Sequence, residues 1–207
     1  MNTKKESGKM CGRYTANTED EVIEIRGILN ALSMRLSSDI SDGMLAAYAG
    51  LYGKEIYPSE NAPVITCDGI LRYKFGFEKW DGSGLIINAR SETISSSRFF
   101  KPFLKNRCII PASHYFEWKK VPHTHTEKYK FGSGKSGIFM AGLMDAKPGK
   151  ESFVILTKQA DENISFIHER MPVILPVSRI LSWLDGTLSP DTLASVCVEN
   201  IFFDMAI

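Results

Sequence analysis

Apolar residues recur at helical spacing early in the chain and at strand spacing through its middle. In "NTEDEVIEIRGILNALSMRL", Val22, Ile25, Leu29, Leu32 and Leu36 fall three and four apart, which predicts a helix with one apolar face. Asn17 or Thr18 stands where an N-cap belongs, and acids fill the first turn. Residues 1–9 are polar and read as a disordered leader or tag, followed by a single domain over 10–207. Ser37 to Gly53 fits no single period, although "DGMLAAYAGLY" suits a second short helix. From about residue 62 the runs become short, β-branched or aromatic, and bounded by turn residues: "PVITC", "LRYKFGF", "GLIINAR", "RCIIP", "YFEWKK", "EKYKF", "GIFMAGLMD" and "SFVILT". "DENISFIHERM", "SRILSWL" and "SPDTLASV" then return to helical spacing, with Ser178 and Ser189 as caps. Many short strands between helical ends predict an α+β fold, a mostly antiparallel, β-barrel-like sheet with flanking helices.

Composition narrows the class. The chain has 207 residues, 43% hydrophobic and 24% charged, as in ordinary globular proteins. No apolar run approaches the ~20 residues of a membrane helix, so no membrane partner is expected. The basic, polar start is no secretory signal, so the expected location is cytoplasmic. A net charge of +1 gives no global pull towards nucleic acid, and any such binding must come from a local arginine cluster. Nothing in the sequence suggests more than a monomer. The four cysteines form no CxxC, which argues against a structural zinc. Cys67 and Cys108 sit in strand-like runs and read as buried small hydrophobes. Cys11 differs, flanked by Gly12 and Arg13 near the terminus. His123-x-His125 has no cysteine or acid cluster nearby and reads as a surface loop, so neither metal nor cofactor is expected.

Four segments hold polar groups that a core does not require: Cys11-Gly12-Arg13; "INARSET", with Asn88, Arg90 and Glu92; "PASHYFEWKK", with Glu117 among Tyr115, Phe116 and Trp118; and "FIHERMPVIL", with His168 and Arg170. Each also has a bland reading. Cys11 is an unused thiol, Asn88 and Arg90 cap a strand beside Glu92, strand alternation turns Glu117 to solvent, and His168 bonds a carbonyl at a helix end. Together they supply a thiol, a carboxyl, an imidazole, an amide and three arginines, an inventory suited to a carbonyl beside phosphates.

In this order, "MCGRY", "NARSET", "IIP…YFEW", "FMAGLMD", "FVILT" and "IHERMPVIL" resemble the SOS-response-associated peptidase (SRAP) family of abasic-site processing proteins, from Met10 to about Leu184. The resemblance implies a β-barrel-like α+β domain with a basic groove for single-stranded DNA containing abasic sites. It also implies an N-terminal cysteine that joins covalently to the abasic sugar, and a thiol autoprotease activity that removes what precedes that cysteine. It implies roles at matching positions. Cys11 is the nucleophile, Asn88 holds the Cys11 backbone or the sugar, Glu117 is the general acid–base for sugar ring opening, and His168 moves protons. Arg13, Arg90, Thr157 and Arg170 take flanking phosphates. Pro63 and Trp80 form an apolar wedge for exposed bases, with Trp118 also at the DNA.

The chain departs from the family pattern at three places. Phe75-Gly76-Phe77 replaces Trp-Gly-Leu and the run to Trp80 is short, which bears on stacking. His114-Tyr115-Phe116 replaces Gly-Phe-Tyr before Glu117, which narrows the site if the His114 side chain reaches it. Cys11 is internal as written, and an internal cysteine has no α-amine with which to build a thiazolidine. Translation from Met10, autocatalytic removal of the leader, and a retained leader with no crosslinking all stay open. Two further readings compete: a thiol peptidase using Cys11, His168 and Glu117, and a non-catalytic binder of single-stranded nucleic acid.

Overall fold

The computed structural model describes residues 12–33, 47–122, 125–133, 137–198 and 201–206. Two sheets carry the fold. In the first, β1 (Arg13–Thr15), β2 (Glu55–Ile56), β9 (His114–Lys120), β10 (Thr126–Gly132) and β14 (Phe202–Met205) run in the order β14-β10-β9-β1-β2, all antiparallel. The second holds β3 (Asn61–Thr66), β4 (Gly69–Phe75), β8 (Arg107–Ala112), β11 (Ile138–Asp145), β12 (Ser152–Gln159) and β13 (Arg170–Pro172), in the order β11-β8-β3-β4-β12-β13. Strand β11 also pairs with β12, which bends this sheet into a barrel-like ring. Strand β7 (Asn88–Arg90) joins β12 in parallel, and β5 (Phe77–Glu78) and β6 (Leu85–Ile86) form a separate hairpin. The predicted class, α+β with a mostly antiparallel, barrel-like sheet, is the one observed.

The strands follow from their side chains. Strands β8 and β11 are buried along nearly their whole length, as expected where apolar residues face both sides of a ring. Between the two sheets, Tyr115 stacks on Phe131 at 4.7 Å, Phe75 stacks on Phe153 at 5.2 Å, and Tyr14 meets Phe75 edge-on at 5.7 Å. A second cluster, on the other side of the ring, includes Val22, Ile25, Tyr48, Leu156, Ile180 and Trp183.

Helix α1 (Glu19–Ser33) starts at a capping box. The Thr18 hydroxyl accepts from the Glu21 N–H at 3.3 Å, and the Glu21 carboxylate accepts from the Thr18 N–H at 2.9 Å. Asn17 instead accepts a bond from the buried Tyr48 hydroxyl at 2.9 Å. Val22 and Ile25 are buried as the periodicity requires, whereas the side chains of Leu29, Leu32 and Leu36 lie outside the described residues, as do the leader and 34–46. In the ambiguous stretch Ala47 and Tyr48 are helical and the chain then turns.

Three expectations need correction. "DENISFIHERM" is not a helix. The Ala160 N–H donates to the Glu169 carbonyl at 2.9 Å, closing a loop too short to repay helix nucleation, and Arg170 then enters β13. Helix α2 (Val177–Leu184) begins after Pro176, not at Ser178, and has no side-chain cap. Ser189 does cap, accepting from the Asp191 N–H at 3.3 Å ahead of a 3-10 turn. Cys67 is exposed, because the β3–β4 turn falls one residue earlier than its apolar run suggests.

Candidate active site

Strand β1 lies beside β9 with Arg13 opposite Phe116 and Thr15 opposite His114. That pairing brings Gly12 to the strand that carries Glu117. Cys11 itself lies outside the described residues. Glu117 is only 2% exposed, so strand alternation does not turn it to solvent. The chain curls so that both faces of β9 are covered near its middle.

Glu117 and His168 line one cavity of about 470 Å³, with Trp118, Lys119, Phe166 and Ile167 also on its walls. Trp118 borders a second cleft of about 300 Å³, shared with Gly12, Arg13, Tyr57, Pro58 and Ile87. The indole thus stands between the carboxyl–imidazole pair and the residue that follows Cys11. Asn88 comes directly after Ile87 and is half-buried.

The loop 160–169 sets the imidazole. His168 Nδ1 lies 3.1 Å from the Arg170 N–H and 3.2 Å from the Arg170 carbonyl oxygen. The tautomer with its hydrogen on Nε2 accepts from the first and the tautomer with its hydrogen on Nδ1 donates to the second, so the ring keeps one orientation whether Nε2 donates or accepts. Nε2 is then the nitrogen left for chemistry.

Arg170 is committed elsewhere. Its guanidinium donates to both Glu92 carboxylate oxygens at 2.5 and 2.8 Å, and to the Thr157 carbonyl at 2.8 Å. Those bonds hold the Glu92 carboxyl below the ordinary glutamate range. Thr157 is fully buried, and its hydroxyl donates to the Ala89 carbonyl at 3.4 Å. Arg170 and Thr157 therefore staple β7 and the turn after it to β12 and β13. Where the resemblance implies two phosphate contacts, the Arg170 cation is paired with Glu92 and the Thr157 hydroxyl is buried.

Arg13 and Arg90 fit their expected place better. Arg90 is exposed at the end of β7. The Arg13 guanidinium lies over the rings of Tyr57, at 4.5 Å, and Trp118, at 5.0 Å, and approaches Glu55 at 3.4 Å. Lys128 pairs with the same Glu55 at 3.0 Å and sits 3.7 Å above Phe116.

Pro63 and Trp80, the expected wedge, border neither of these two cavities. Pro63 is buried in β3 opposite Arg72, because its ring fills the sheet where its missing N–H is tolerated. Trp80 is 93% exposed on the β5–β6 hairpin and borders a different cavity of about 440 Å³, together with Phe77 and Phe103. Pro58 and Tyr57 occupy the cleft instead. The sequence held a usable sign for them, since "YPSE" is a turn that projects an aromatic and a proline between two strands. The His114 imidazole lines neither cavity, and Nε2 meets the Thr15 hydroxyl at 3.0 Å across the β1–β9 ladder.

Two of the described thiols are poor nucleophiles. Burial pushes the Cys108 thiol far up and Cys197 up to about 11. Among the described residues, no group of three or more His, Cys, Asp and Glu side chains is placed to hold a metal ion, and no helix is long and apolar enough to cross a membrane.

Comparison with known proteins places this geometry in context. Residues 10–202 match the family model described as SOS response associated peptidase (SRAP). The chain is 31% identical over 209 residues to the abasic site processing protein YoqW of Bacillus subtilis, covering 90% of this chain and 86% of that one. It is 34% identical over 128 residues to the abasic site processing protein YedK of Escherichia coli, covering 58% of this chain and 57% of that one. A crystal structure of a Bacteroides thetaiotaomicron protein shares the fold, with a TM-score of 0.73 and 23% identity over 94% of this chain and 91% of that one. With its matched span reaching from Met10 through every strand of the ring and every described residue of both cavities, the chain belongs to the SRAP family.

Proposed function

We propose that the protein processes abasic sites in single-stranded DNA by forming a covalent adduct through Cys11 once that residue is N-terminal. Relatives named as abasic site processing proteins support the substrate class. The observation that carries the mechanism is that Trp118 is a wall of both the Glu117–His168 cavity and the cleft bordered by Gly12.

The open form of an abasic sugar presents an aldehyde at C1′. The Cys11 α-amine adds to that carbon and water leaves, giving an imine. The thiol then adds to the same carbon, a C–S bond forms, and the nitrogen takes up the proton. The product is a five-membered thiazolidine, formed with the net loss of one water. An α-amine suits the first step because its pKa of about 7.7 to 8.0 leaves a neutral fraction at pH 7 that lysine, at about 10.4, lacks. Ring closure within one residue gains a high effective molarity.

Glu117 opens the sugar ring as general acid–base, and its burial keeps water away from that transfer. His168 carries protons for imine formation and reversal while the Arg170 backbone holds its ring. Asn88 orients the sugar or the Cys11 backbone. Arg13 and Arg90 take flanking phosphates, and Arg170 acts by fixing His168 and β7.

The test compares three forms on abasic single-stranded DNA, by denaturing electrophoresis for the adduct and by native electrophoresis for binding: a chain starting at Cys11, one retaining residues 1–10, and Cys11→Ala. The expected result is an adduct with the first form alone and weak, salt-sensitive binding in all three. A denaturation-resistant complex with Cys11→Ala sinks the thiazolidine. Peptide hydrolysis by the leader-bearing form, with no adduct from any form, favours the thiol peptidase.

A further inference from the structure

The cavity holding Glu117 and His168 extends well beyond what those two groups need. Its far wall is built from Lys119 and Lys120 of β9, Thr126 of β10, and Ser165 and Phe166 of the loop 160–169. Phe166 is 52% exposed, unusual for an aromatic with a strand-sheet neighbour to pack on. Its ring is braced edge-on by Phe203 of β14 at 5.7 Å, and the Lys119 ammonium lies 4.8 Å from its centroid. Behind it, Ile164 and Ile167 are buried and anchor the loop. A half-exposed aromatic ring, with the Lys119 ammonium over one face, thus stands beside two lysines and two hydroxyls on the wall of the acid–base cavity. Glu169 also borders this space and works against a second anion there, so the lysines are matched to one phosphate rather than a run of them.

We propose that this wall is a subsite for the single nucleotide next to the abasic sugar, on one side of the lesion only. The base stacks on Phe166, and the phosphate joining it to the reacting sugar lies against Lys119 and Lys120, with Ser165 or Thr126 donating to its oxygens. A volume of about 470 Å³ holds one nucleotide together with the abasic sugar. Stacking reads no sequence, so the subsite accepts any base. The cleft by Arg13 and Trp118 lies across the indole and serves the strand on the other side of the lesion. The inference rests on the proposed function, since it names where that DNA continues.

The experiment measures equilibrium binding to a single strand carrying a tetrahydrofuran site, which has no aldehyde and so reports affinity without the adduct. Three oligonucleotides are used: one extended on both sides of the site, one ending just 5′ of it, and one ending just 3′ of it. Phe166→Ala is expected to weaken binding about five- to tenfold on the first, and on only one of the truncated strands. The other truncation removes the nucleotide itself, and there wild type and variant bind alike. Phe166→Leu keeps the packing on Phe203 but not the π-face, and is expected to lose nearly as much. Lys119→Ala with Lys120→Ala is expected to lower the salt dependence by about one phosphate contact. Equal affinity of wild type and Phe166→Ala for the long strand overturns the subsite, as does an equal loss on all three strands. Failure of the wild type to bind any of the strands refutes the proposed function instead.

Discussion

Glu117 shows what a residue-scale reading of the sequence can and cannot reach. Its type and its Glu-Trp neighbour were legible, but its burial was not. Alternation allowed it to face water, and only the curl of β9 between β1 and β10 encloses it. Glu117→Gln is expected to slow adduct formation about a hundredfold, with affinity for tetrahydrofuran-bearing DNA nearly unchanged. Unchanged single-turnover kinetics would remove Glu117 from its role. At Arg170 and Thr157 the family resemblance implied phosphate contacts, and the structure ties the two to each other and Arg170 to Glu92. No one-dimensional signal pairs residues 78 positions apart. The Glu92 carboxyl is lowered by Arg170, so the pair's stabilisation is fully present above the ordinary glutamate value of about 4.3. It is lost as pH falls through the lowered value. A Glu92→Gln variant is therefore expected to melt below wild type at pH 7, and the gap is expected to close in acid. A melting gap that persists undiminished in acid contradicts the ion pair.

At the scale of elements, the long buried strands were plain in the sequence because both of their faces are apolar. Strands β1, β2 and β14 were not, since two to four residues carry too little pattern and form only because partners hold them. Strand β1 matters most, for its pairing with β9 brings Gly12 to the site. The loop 160–169 misled for the same reason in reverse: helical spacing of Ile164 and Ile167 served to anchor a loop, not to propagate a helix. The ring itself rests on close approach at β11. A Cβ on Gly142 would clash with Ile110 Cδ1 and meet the Val154 carbonyl oxygen at 2.7 Å, from the strands on either side. Gly142→Ala is expected to lower stability by about 1–3 kcal/mol, seen as a fall in urea midpoint with unchanged m. A midpoint equal to wild type would mean that the ring relaxes freely at β11.

For the whole molecule, a net charge of +1 leaves the proposed DNA binding to a few local cations rather than to a basic surface. With Arg13, Arg90 and the Lys119–Lys120 pair as contacts, log affinity for single strands is expected to fall with log salt at a slope of about −2 to −3. A much steeper slope would point to a wider interface than these residues supply. The α+β class and the barrel-like sheet were readable from run lengths alone. The meeting of two cavities at Trp118 was not, because it depends on how the two sheets face each other. That meeting is also where the central claim stands or falls. The most direct test is the intact mass of the protein after incubation with abasic single-stranded DNA and denaturation, without borohydride, followed by peptide mapping. The account predicts the summed mass of a chain beginning at Cys11 and the DNA less one water, with the DNA remnant on that N-terminal cysteine. A remnant on any other residue, or a complex that survives only after reduction, contradicts it.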